Sequence, residues 1–228
     1  MHTHTFFTPK EIKEHCTPSD CWVSKFGKVY DYTNLIKRSP AKLVEALSRS
    51  AGEDVSSWFD PTTGDFYKIS NPLDENDRYR LPLGLPTLHT ADVYSPIQQE
   101  IDHQPITTVD AASPTVENPW WRDQSYCIGN LTKNAREIDI LNSLTSQKHR
   151  LEVADELTIA EIAGRYNRFN SNCLTGYQWR FDGQPLKMDD TLTNNKIMDE
   201  RPIFLKLGWP QDQWHIPCII LVWKDECM

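Results

Sequence analysis

Residues 96–118 constrain the fold more than any single motif. From Pro96 to Asn118 the chain carries no Lys or Arg, four acidic residues and three prolines, with neither helical nor strand periodicity. A stretch of that length without an apolar face adds no regular element to a core. It is expected to act as a linker or an extended strap, dividing the 228 residues into a first domain over 1–95 and a second over 119–228. Each half has the size of a small domain. With 39% hydrophobic residues and eight each of Trp, Tyr and Phe, both can build a packed core.

Charge removes several function classes. Twenty-four basic against 32 acidic side chains leave a net charge of -8, and neither half holds a basic stripe, so nucleic acid is not an expected partner. The longest apolar run, Ile216 to Trp223, is eight residues and contains Pro217. A membrane span needs about 20. Met1 to Phe7 lacks the basic flank and apolar stretch of a secretion signal, so a cytosolic chain with free thiols is expected. The six cysteines are scattered without paired metal-ligand spacing, and no zinc site is expected. Nine dispersed glycines offer no phosphate cradle, and no HxxxH or CxxC pair appears, so catalysis by this chain is not expected.

Local patterns place the elements. Thr8-Pro9-Lys10-Glu11 starts a short helix, Cys21–Ser24 and Lys28–Asp31 flank a turn at Phe26-Gly27, and Leu43, Val44 and Leu47 repeat at helical spacing. After the strap, Arg136–Leu141 and Lys148–Val153 alternate as a hairpin. Thr158–Tyr166 forms an amphipathic helix, and Tyr177–Phe181, Arg201–Leu207 and Ile216–Trp223 read as strands. The class is α+β.

The residues Phe7-Thr8-Pro9-Lys10-Glu11-Ile12, Asp20-Cys21-Trp22-Val23, Gly27-Lys28-Val29-Tyr30-Asp31-Tyr32-Thr33 and Ala51-Gly52-Glu53-Asp54 with Trp58-Phe59 resemble the cytochrome b5-like family, over about residues 6–70. That resemblance implies heme held by two histidines. The positions that correspond are Ser39, in Ser39-Pro40-Ala41-Lys42, and Gly64, in Pro61-Thr62-Thr63-Gly64. The half is a degenerate member, since neither residue offers an imidazole. His89 is the nearest downstream substitute ligand, with His15 or Cys16 upstream; His2, His4 and His103 fall in tails or strap.

Tyr177 to Leu186, Asp190-Thr191-Leu192 and Asn195-Lys196-Ile197 resemble a ubiquitin-like β-grasp fold. The chain ends Lys224-Asp225-Glu226-Cys227-Met228 rather than in Gly-Gly, so no covalent conjugation through the C-terminus is expected. The pairing of the two halves resembles proteins of motile cilia associated with the axonemal radial spokes. That implies a cytoplasmic, cytoskeletal location in the cilium axoneme and radial-spoke partners. Three roles follow from the resemblance: a non-catalytic structural adaptor that supports beating, a heme-binding redox sensor using non-standard ligands, or a b5-type electron carrier. Trp22, Trp58 and Trp179 sit in core patterns, whereas Trp120 and Trp121, beside the strap, and Trp209 and Trp214, in the Gly208–His215 loop, are the interface candidates.

Overall fold

The computed structural model describes residues 5–39, 41–69, 78–79, 88–89 and 119–224. The chain divides into two compact units. One runs from Lys10 to Leu131; the other runs from Thr132 onward and includes the residues just before Lys10. The predicted boundary at 119 is thus displaced, because 119–131 completes the first unit. The 96–118 strap lies outside the described residues.

The chain opens with β1 (Phe6–Phe7) and α1 (Pro9–Glu14), then β2 (Cys16–Thr17), β3 (Asp20–Lys25) and β4 (Lys28–Asp31). Phe26 and Gly27 both take positive φ, 48° and 75°, the pairing that a two-residue hairpin turn needs to match strand twist. Helices α2 (Thr33–Ile36) and α3 (Ala41–Arg49) follow, then a 3-10 turn at Ser56–Trp58. Asp54 prepares that turn, accepting from Ser56 N at 2.9 Å and from Ser24 Oγ at 2.7 Å. Three two-residue strands, β5 (Lys68–Ile69), β6 (Arg78–Tyr79) and β7 (Leu88–His89), pair antiparallel.

The chain then returns at Pro119. A 3-10 turn (Gln124–Tyr126) leads into β8 (Cys127–Leu131), which pairs antiparallel with β4, so the sheet runs β8-β4-β3-β2. Trp120 and Trp121 are 5% and 1% exposed, packed with Tyr32, Trp58, Phe59 and Phe66. They belong to the core of the first unit, not to an interface. Three contacts fix the returning strand. Trp121 Nε1 donates to Asp65 Oδ1 at 3.0 Å, Arg122 Nε donates to the same oxygen at 2.9 Å and its Nη2 to Oδ2 at 2.6 Å, and buried Lys25 Nζ donates to the Trp121 carbonyl. Lys25 also faces the rings of Tyr30 and Phe59, 4.7 and 4.8 Å from their centroids.

In the second unit β9 (Ala135–Asn142) and β10 (Lys148–Ala154) form the predicted hairpin, and α4 (Ile159–Tyr166) crosses the sheet. Thr158 and Glu161 close a complete capping box. Strands β11 (Tyr177–Phe181), β12 (Gln184–Pro185) and β13 (Cys218–Trp223) finish a sheet ordered β10-β9-β13-β11-β12, with β13 parallel to β9 at its centre. Alternate residues face one core: Ile138 and Ile140, Leu151 and Val153, Tyr177 and Trp179, Ile219 and Leu221, closed by Ile159, Ile162 and Tyr166 of α4. A hairpin, a crossing helix and a central parallel strand make the β-grasp arrangement.

One predicted strand is a helix. Arg201–Leu207 forms α5, with Pro202 in its first turn and Gly208 at φ 70° as its left-handed cap. Periodicity in so short an apolar run favours neither element, and the bracketing Pro and Gly decide it.

Candidate functional site

The expected cofactor positions come first. Ser39 ends the turn after α2 and donates its Oγ to the Leu35 carbonyl at 2.7 Å, back into the preceding helical turn. Gly64 has no side chain, and its N–H closes a turn onto the Asp60 carbonyl at 2.7 Å. These two residues do not fit an iron that takes two imidazoles. His89 lies on β7, its backbone paired in register with Arg78; its side chain lies outside the described residues. His15 stacks on Trp22 at 3.6 Å, with Nδ1 2.7 Å from Asp20 Oδ2, and Cys16 sits on β2. His2, His4 and His103 lie outside the described residues. Among the described residues no cluster of three His, Cys, Asp or Glu is placed to hold a metal, and no helix is long and apolar enough to cross a membrane.

The second unit carries a more developed surface. Helix α5 buries Phe204, while Ile203, Leu205 and Leu207 are 58%, 63% and 61% exposed. Met198 before the helix and Trp209 after it are also exposed, so five large apolar side chains crowd into Met198–Trp209, while the others that are exposed stand scattered. Phe204 anchors this ridge. Trp209 stacks on it at 5.5 Å and 9°, Trp214 lies 6.2 Å away, and Trp214 Nε1 donates to the Trp209 carbonyl at 3.0 Å.

Trp214 then serves as one wall of a cavity of about 420 Å³. Phe181, Ile197, Ile216 and Pro217 add apolar lining, and the polar side comes from Arg136, Asp199 and Arg201. Arg201 is well bonded. It donates to both Asp199 oxygens at 2.8 Å, to the Ala135 carbonyl at 2.6 Å and to Asn134 Oδ1 at 2.7 Å, and its bonds to Asp199 hold that carboxyl down at about 2. Arg136 differs: it is 3% exposed, its Nη2 lies 2.9 Å from Asp155 Oδ1, and none of its guanidinium nitrogens has a hydrogen-bond acceptor in good geometry. Asp155 therefore balances the charge without using the donors. His215, 3.2 Å from Glu200, is exposed and pairs with no nucleophile.

The predicted interface residues thus separate. Trp209 and Trp214 belong to this surface; Trp120 and Trp121 do not. The apolar residues of α5 went unnoticed in sequence because Arg201–Leu207 reads as a strand; the Pro202 and Gly208 brackets were the available signal.

Residues 8–73 match the family described as "Cytochrome b5-like Heme/Steroid binding domain". The cytochrome b5 domain-containing protein 1 of Xenopus tropicalis is 37% identical over 222 residues, covering 97% of this chain and 95% of that protein. The Homo sapiens protein of the same name is 37% identical over 97% of this chain and 90% of its own length. Among solved structures, a ubl5 domain from the polyubiquitin locus of T. thermophila is similar to part of the chain at 14% identity and TM-score 0.30, spanning 40% of this chain and 95% of that one.

Proposed function

Because the chain belongs to the family of cytochrome b5 domain-containing protein 1, we propose that it is a non-catalytic docking component of the motile-cilium axoneme, associated with radial spokes and supporting beating. The ciliary placement rests on the resemblance of the paired halves to radial-spoke-associated proteins. The docking role rests on one observation: the exposed apolar side chains between Met198 and Trp209, with Trp214 packed on Phe204 and lining the Arg136 cavity. Exposed aromatic and aliphatic anchors beside a partly apolar pocket are the features of an interface hot spot.

The test is localisation of the tagged full-length chain in multiciliated cells. The reading predicts that it stays with detergent-stripped axonemes and cross-links from Lys206 to a radial-spoke subunit. Its complete release with the soluble ciliary matrix would contradict the reading.

The match to a heme and steroid binding family supports a second reading, a heme-linked sensor of motility that uses non-standard ligands. A hemin titration of the purified chain, with Ser39→His alongside, separates the two. A saturable low-spin spectrum in the unmodified chain supports the sensor; broad, unsaturable absorbance supports docking alone.

A further inference from the structure

Cys16 and Cys21 stand directly opposite each other on β2 and β3. The hydrogen bonds around them define the kind of pair. Trp22 N donates to the His15 carbonyl at 3.0 Å, Cys21 N donates to Thr33 Oγ1 at 3.0 Å, and the Cys21 carbonyl accepts from Tyr32 N at 2.8 Å. Cys21 thus exchanges no backbone bond with Cys16, and the two form a non-hydrogen-bonded antiparallel pair. In such pairs the Cα atoms lie about 4.5 Å apart and the side chains share one face of the sheet. A disulfide spans Cα separations of about 4.4–6.8 Å.

Their surroundings agree with this register. Cys21 Sγ points inward, 3.8 Å from the Leu47 carbonyl near the end of α3, and a side chain added at Gly52, just past that helix, would meet the Cys16 Cβ at 3.1 Å. The Cys16 Cβ and the Cys21 Sγ therefore both lie beside the C-terminal end of α3. Cys16 is exposed, Cys21 is buried, and both are free thiols.

We propose that Cys16 and Cys21 are a peroxide-oxidised dithiol, with Cys16 as the attacked and Cys21 as the resolving sulfur. The Cys16 thiolate attacks one peroxide oxygen; the O–O bond breaks, the departing oxygen leaves as water, and Cys16 becomes a sulfenic acid. The Cys21 sulfur then attacks Cys16 Sγ, the S–S bond forms, the S–O bond breaks, and the hydroxyl leaves as water with the Cys21 proton. Two thiols and one peroxide give one disulfide and two waters. Burial pushes the Cys21 thiol up to about 12, so little of it is thiolate near neutral pH and this slows the attack on Cys16. The bond staples the β2–β3 hairpin and draws Cys21 Sγ from the Leu47 carbonyl, so oxidation is felt at α3.

The test exposes the full-length protein to stoichiometric hydrogen peroxide and maps its peptides by mass spectrometry. The expected result is a Cys16–Cys21 link with the loss of two hydrogens, reversed by dithiothreitol. Cys16→Ser removes it, while Cys21→Ala leaves Cys16 as a dimedone-trappable sulfenic acid. Because Cys21→Ala opens a small space in the core, circular dichroism of each variant accompanies the mapping, and Cys16→Ser, at an exposed site, supplies the arm that does not depend on packing. Over-oxidation of Cys16 with Cys21 still alkylatable in the unmodified protein would overturn the proposal, as would a link to any other cysteine in preference.

Discussion

Lys25 is the residue whose environment departs furthest from its chemistry. It is buried against Tyr30 and Phe59, and burial pushes its ammonium down to about 8 from an ordinary 10.5. Between those values the unfolded chain holds more protons than the folded one, so stability rises with pH across the window and the penalty is fully present below about 8. Relative to Lys25→Met, the unmodified protein should gain on the order of 2–3 kcal/mol of unfolding free energy between pH 8 and 10.5. Parallel urea-denaturation curves for the two proteins across that range would refute the assignment. Sequence offered no sign of this burial: lysine is ordinarily exposed, and the partner that draws it inward, the Trp121 carbonyl, lies 96 positions away. Ser39 and Gly64 were the opposite case. Their lack of an imidazole is a property of residue type, and the structure adds only where their polar groups go.

At the scale of elements, period-2 strands and capped helices were legible wherever local chemistry agreed with the fold. The hairpin of β9 and β10 alternates along both strands, and Thr158 with Glu161 announces α4 three residues apart. Removing that cap in Thr158→Ala should cost about 1 kcal/mol in chemical denaturation; an unchanged midpoint would mean that the sheet alone holds α4 in place. Helix α5 was misread because its apolar residues lie outside the core, where a helix has no buried face to reveal its period. Leu205→Asp should therefore leave the thermal midpoint nearly unchanged. A buried strand would not tolerate that substitution, so a large fall in the midpoint would contradict the observed exposure.

At the scale of the whole molecule, the described core of the first unit draws on Trp120, Trp121 and β8, about 50 residues after Phe66 in the chain. A chain's order shows which strands are neighbours in sequence, not which sheet a late strand joins, and for that reason the strap read as a boundary. A 1–131 fragment should unfold cooperatively, whereas a 1–95 fragment, lacking both tryptophans and a strand, should show no cooperative transition; equal behaviour of the two would refute the assembly described for the first unit. The docking surface proposed on the second unit can be measured directly. Purified full-length protein is co-sedimented with detergent-stripped axonemes, alongside a Leu205→Asp/Trp209→Asp variant of unchanged circular dichroism. Loss of two exposed anchors should weaken binding about tenfold or more. Equal binding by both proteins would contradict the assignment of docking to the α5 ridge.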